Sequence, residues 1–190
     1  FLASWNPFFY MIDGFRYGFL GVGESNLFNG FIIMVVSNVV FFIVTVFVFK
    51  KGYGFDTFTG LPEDWDVGSH LEKAGTYTSD GNVPKIKGGR FIVGKFEDTL
   101  PVFFSEHRPM ASVINFDADL YSSTICALNF SKAVIDKDTI LIFDEFIMNE
   151  SWEQDEFKAL NEFCSKNQCS DEVVAISFFT KQVAVKLIGI

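Results

Sequence analysis

Two short acidic strings stand at the ends of apolar runs. Ala111–Phe116 is followed by Asp117-Ala118-Asp119, and Thr139–Phe143 by Asp144-Glu145. Short apolar runs rich in branched and aromatic residues read as buried strands. In an open α/β sheet, ligands bind at the carboxyl ends of strands, near the point where strand order reverses. Neighbouring strands would bring these carboxylates together, where mutual repulsion demands a proton or a hard cation such as Mg²⁺. Asp117, Asp144 and Glu145 are therefore candidate metal ligands. Asp117 is also the candidate catalytic base: a metal could hold a diol and lower the pKa of its hydroxyl, while an aspartate takes the proton. The competing reading is that some of these acids only cap the helices that follow. For Asp119, just ahead of Ser122-Ser123-Thr124, both readings stay open.

ILIFDEF (140–146) also has the form of a Walker B strand. Its partner G-x-x-x-x-G-K-[ST] occurs nowhere in the sequence, so a phosphate cradle is missing and the ATPase reading fails. Cys164 and Cys169 have a C-x4-C spacing with no second ligand pair or nearby histidine. With Cys126 they suit reduced, partly buried thiols better than a metal site.

The elements that must position these residues alternate. Arg90–Val93 reads as a short strand, Thr99–His107 as a helix and Ala111–Phe116 as a buried strand. Tyr121–Ile135 follows as a helix opened by Ser122, Ser123 and Thr124, and Thr139–Phe143 as a second buried strand. Trp152–Lys166 is a helix with Phe157, Leu160 and Phe163 on one face. Val173–Phe179 and Gln182–Ile188, separated by Thr180-Lys181, read as a terminal hairpin. Pro62 to Gly89 reads as a long loop. Strand, helix, strand, helix and an antiparallel pair make the back half of a Rossmann-like α/β sheet.

The front of the chain is different. From Phe31 to Phe49 only Ser37, Asn38 and Thr45 are polar, and no charge lies between Glu24 and Lys50. With the residues just before it, this predicts one transmembrane helix over about 28–49, the alternative being a buried core helix. Lys50-Lys51 follows where a signal peptide would need a small-residue cleavage site. The positive-inside rule places residues after Lys50 on the cytoplasmic side of the cytoplasmic membrane. Residues 1–52 carry a net charge of +1, which leaves −10 for residues 53–190. So acidic a back part excludes nucleic acid as its partner. The domain boundaries expected are 1–52 for the membrane segment and 53–190 for the α/β part.

Trp5 to about Gly54, with its Asn6-Pro7 step and the Asp13-Gly14-Phe15-Arg16 string, resembles the C-terminal end of the permease subunit of ABC-type polysaccharide or drug exporters. In the back part, GFDTFTGLPEDW (54–65), VGKFEDTLPVFF (93–104), INFDADLYSST (114–124), ILIFDEF (140–146) and QVAVKL (182–187) occur in order. They resemble the macrocin O-methyltransferase-like family of class I methyltransferases. That resemblance implies an S-adenosylmethionine-dependent enzyme acting on a hydroxyl of a sugar or glycoconjugate, several of its members using a divalent metal. It also implies that Asp56 lies near the cofactor ribose, with Phe58 beside it. The rival function is membrane transport by a permease fragment.

A first strand and a glycine-rich turn should lie just upstream of Gly54 in such an enzyme, and the permease-like tail occupies that place. Gly18, Gly21, Gly23 and Glu24 imitate the turn, but a uniformly apolar run follows them instead of an amphipathic helix. The expected fold is thus a partial methyltransferase sheet lacking its first strand, incomplete as an enzyme, with a seam at Lys50-Lys51-Gly52-Tyr53-Gly54. Two partial families abutting there, in a chain that begins at Phe1, read as a junction between two neighbouring genes.

Overall fold

The computed structural model describes residues 6–48, 52–147 and 150–190. Trp5, and Lys50-Lys51 on which the orientation and the seam rest, lie outside the described residues. The chain divides into two compact units, Phe1–Gly52 with Ile86–Arg90, and Tyr53–Lys85 with Phe91–Ile190.

In the first unit, α1 (Pro7–Leu20) and α2 (Leu27–Val48) pack together. Asn6 opens α1 by accepting the Phe8 N–H at 3.0 Å, and Pro7 takes the first helical position, where no amide is needed. Gly21 ends the helix at φ +70°, a left-handed conformation open to a residue without Cβ. At Gly30 an added Cβ would stand 2.8 Å from the Tyr10 ring, so the two helices meet where a side chain is missing. α2 has 22 residues. At 1.5 Å per residue it is about 33 Å long, enough for a hydrocarbon core of ~30 Å. Phe28–Thr45 is the one candidate membrane span among the described residues. Inside it the Asn38 amide donates to the Met34 carbonyl at 2.9 Å, which satisfies that donor within the helix.

The second unit is a mixed α/β structure. β5 (Val113–Phe116), β6 (Ile140–Phe143), β8 (Gln182–Ile188) and β7 (Ser170–Ser177) form a four-stranded sheet in that order. β5 and β6 are parallel, from Val113 opposite Ile140 to Phe116 opposite Phe143, and β8 runs antiparallel to both β6 and β7. β1 (Gly52–Asp56) pairs with β4 (Gly89–Val93) in a separate two-stranded sheet. Among the described residues no strand joins that pair to β5, so the sheet is partial.

The three helices are α3 (Phe96–Phe104), α4 (Tyr121–Ser131) and α5 (Glu156–Asn167). The core gathers Leu128 of α4, Leu141 and Phe143 of β6, Leu160 and Phe163 of α5, and Val185 of β8, each at most 1% exposed. Burial of each such side chain contributes ~1.5–3 kcal/mol. One face of β6, Leu141 and Phe143, is fully buried in this core, while Ile140 and Ile142 on the other face are half-buried.

Some element ends differ from expectation. α3 begins at Phe96, before Thr99, because the Lys95 carbonyl accepts the amides of Asp98 and Thr99, and Glu97 and Asp98 suit the first turn. α4 starts behind Leu120 with no side-chain cap, then tightens into a 3₁₀ turn over Lys132–Val134. The segment expected as an unstructured loop is folded. β2 (Trp65–Asp66) pairs with β3 (Leu71–Glu72), and Leu61, Trp65 and Val67 bury themselves with Leu120. Trp65 Nε1 donates to the buried Asp155 at 3.1 Å, pinning this segment to the residues that open α5.

Candidate functional site

A cleft of about 630 Å³ opens at the carboxyl ends of β1 and β5, and Asp56, Asp117, Asp119 and Glu145 line it together with Lys95 and Tyr77. The local chain explains why these carboxylates converge. β5 and β6 end level, and the Asp144 amide still bonds the Phe116 carbonyl at 3.1 Å. Beyond that bond the ladder ends, and Asp117, Asp119 and Glu145 line the cleft. A second hollow of about 710 Å³, beside Tyr121, Glu162 and Lys166, is a groove between α4 and α5 that no strand end reaches.

The electrostatics of the cleft follow from crowding. Burial pushes the Asp117 carboxyl above the usual range, and the charges of Asp144, Asp56 and Glu145 push it further. Asp119 rises to about 6, again mainly by burial, then through Asp117, Glu145 and Asp144. Its backbone sits at φ +57°, which aspartate tolerates better than most residues.

Of the residues singled out in the sequence, Asp56, Asp117 and Glu145 line the cleft. Asp56 also accepts the Phe58 amide at 2.8 Å, holding Phe58 at φ +59°. The Phe58 ring is buried, edge-on to Phe91 with centroids 5.5 Å apart, and does not line the cleft. Asp144 accepts the side-chain amide of Gln182, and Glu145 accepts the Lys181 ammonium at 2.9 Å. One oxygen each of Asp144 and Glu145 is engaged in this way. Among the described residues no three His, Cys, Asp or Glu side chains come close enough to hold a metal ion.

The glycine-rich stretch of the first unit has no free cradle. Gly18 lies inside α1 and Gly21 caps it. The amides of Glu24 and Ser25 are bonded to the buried Asp13 carboxylate at 2.9 and 2.8 Å. The Ser25 hydroxyl and these amides hold Asp13 below the usual carboxylate range.

One residue of the site escaped sequence reasoning. Glu156 is fully buried, and its two oxygens accept the amides of Ala118 at 3.5 Å and Glu145 at 3.3 Å. Burial pushes its carboxyl up to about 8, against the lowering effect of those two amides. Its signal was helical spacing: Glu156 falls three, four and seven residues before the buried Ala159, Leu160 and Phe163.

The mixed α/β fold, with its partial sheet, is similar to those of solved methyltransferases. The calicheamicin methyltransferase CalS11 superposes with a TM-score of 0.54 at 21% identity, over 72% of this chain and 60% of its own. The O-methyltransferase NovP superposes with a TM-score of 0.51 at 21% identity, over 72% of this chain and 59% of its own. The N-terminal part is similar to the inner membrane transport permease YadH of Escherichia coli (strain K12), with 42% identity over 53 residues, which is 28% of this chain and 21% of the permease. The permease of the same name from Shigella flexneri matches equally. The chain thus spans about a fifth of the curated relatives it matches and about 60% of the solved methyltransferase chains. No family model matches it.

Proposed function

We propose that residues 53–190 are the acceptor-side part of an S-adenosylmethionine-dependent O-methyltransferase, acting on a hydroxyl of a sugar or glycoconjugate, behind a permease-like membrane segment over residues 1–52. The observation that carries this reading is the position of Asp56, Asp117, Asp119 and Glu145 around one cleft at the strand ends of a methyltransferase fold.

The cleft suits part of the cofactor. Asp56 has a second carboxylate oxygen for a ribose hydroxyl, and the acidic walls favour a sulfonium cation. S-adenosylmethionine supplies an electrophilic methyl group when bound. Asp117 takes the proton of the acceptor hydroxyl as the oxygen gains its methyl, and its raised affinity for protons suits that task near neutral pH. Among the described residues no glycine-rich turn after a first strand accompanies these residues to hold the methionine end, and on this reading cofactor binding by the chain is incomplete. The residues do not fit a resident metal as they stand, because among the described residues no three His, Cys, Asp or Glu side chains converge closely enough to hold one. No step here is routed through one.

Saturation-transfer NMR on the whole chain in detergent micelles, with a panel of methyl hexosides and deoxyhexosides, tests the acceptor reading. Signals at sugar protons should appear and should vanish in Asp117→Ala; silence across the panel would sink it. Calorimetric titration with S-adenosylmethionine is expected to show no binding, and clear binding would overturn the incomplete cofactor site.

A second reading, a fragment of a membrane transport subunit, is favoured by the 42% identity over 53 residues. Under it, too, α2 crosses the cytoplasmic membrane and residues after Lys50 face the cytoplasm. Retention in the membrane pellet after an alkaline wash is expected, and recovery in the wash would count against the span.

A further inference from the structure

Glu156 opens α5 on the face that carries Ala159, Leu160 and Phe163 into the core. At such a position a carboxyl costs free energy unless it is hydrogen-bonded. What it meets is backbone. Oε1 reaches the amide of Ala118, between Asp117 and Asp119, and Oε2 reaches the amide of Glu145, next to Asp144. These two amides lie beyond the last ladder bond between β5 and β6, which is the one from Asp144 to Phe116. Without Glu156 both would be partly buried donors deprived of this acceptor, just past the ends of two different strands. The Ala118 loop is further constrained by the Leu120 amide turning back onto the Ala118 carbonyl, with Asp119 in a left-handed conformation between them. A bidentate acceptor fixed by helix packing is the simplest device that holds both loops at one spacing.

We propose that Glu156 is a positioning residue: it ties the Asp117–Asp119 loop to the Asp144-Glu145 loop and thereby sets the distance between the carboxylates of the cleft. This deepens the proposed function by naming what holds its base in place, but its test requires no turnover.

Hydrogen exchange by mass spectrometry on the whole chain in micelles supplies that test, with Glu156→Gln and Glu156→Asp beside the wild type. Glutamine keeps the shape and one good acceptor, so above about pH 8, where Glu156 is ionised and accepts through both oxygens, exchange should rise about tenfold in residues 117–120 or 144–147, the effect of one lost hydrogen bond. Aspartate is too short to span both loops, and exchange should rise in both. Exchange in β8 and α2 should stay unchanged. Unaltered loops in Glu156→Gln, or an equal rise in β8, would overturn the proposal, and Glu156→Gln alone decides if Glu156→Asp does not fold. Failure of every glycoside to bind the wild type would remove the proposed function and leave these exchange rates as they are.

Discussion

Lys181 holds its ammonium 2.9 Å from Glu145 Oε2, from a turn in which its own backbone stands at φ +60°. The hairpin between β7 and β8 therefore brings a positive charge to the place where the acidic pattern called for a divalent ion. A cation already paired there opposes a second one. Mn²⁺, followed by the loss of its free paramagnetic signal, should bind the wild-type chain more weakly than about 1 mM, and Lys181→Ala at least about tenfold more tightly. Equal affinities would show that the ion pair has no bearing on metal binding.

Glu156 and Asp119 give the stability of the second unit a definite slope with pH. In the folded chain they keep protons up to about 8 and about 6, while in the unfolded chain they lose them near the ordinary values of 4.5 and 3.8. The native state binds more protons in that window, so unfolding free energy falls as pH rises. Urea midpoints should decline from about pH 5 to about pH 8. Glu156→Gln should flatten most of the upper part of that slope, and an unchanged slope in the variant would assign it to other groups.

Asp117 is the second cause, after burial, of the high proton affinity of Asp119. Asp117→Asn removes one like charge and leaves the burial. Carbon-detected NMR titration of Asp119 should give a value below about 6 yet still above 3.8. A value that does not move would mean the two carboxylates are further apart than the cleft requires.

Gly60 and Gly75 both lie at positive φ, +86° and +85°, but in different surroundings. A Cβ on Gly60 would come within 2.3 Å of the Thr76 carbonyl oxygen, whereas one on Gly75 would meet no atom within 4 Å. Gly75→Ala should cost ~1 kcal/mol from backbone strain alone. Gly60→Ala should cost several times as much by displacing the segment that carries Leu61 and Trp65. Thermal unfolding monitored by tryptophan fluorescence separates the two, and similar melting temperatures would contradict the packing described.

Legibility in the sequence tracked the range of the interactions. β5, β6 and the β7–β8 hairpin were readable because a run such as Ile140–Phe143 is set by burial and a turn such as Thr180-Lys181 by local backbone. α2 was readable from length and absence of charge. The folded state of Leu61–Val67 was not, because its cluster is completed by Leu120 and its anchor is Asp155, both distant in sequence. Asp117 and Glu145 could be placed at one cleft from strand ends, and Asp56 only through the family resemblance. The partners of Asp144 and Glu145 could not, because Gln182 and Lys181 arrive from a hairpin more than thirty residues on. Glu156 was hidden by its charge: the helical pattern marked its position as buried, and residue type argued for the surface.

Among the described residues β5 has a partner strand on one side only, and β1 and β4 pair in a separate sheet. A row of unpaired amides and carbonyls beside Val113 and Ile114 is a template for any extended chain that reaches it. An open border of this kind is where an extended strand from another chain would add to the sheet.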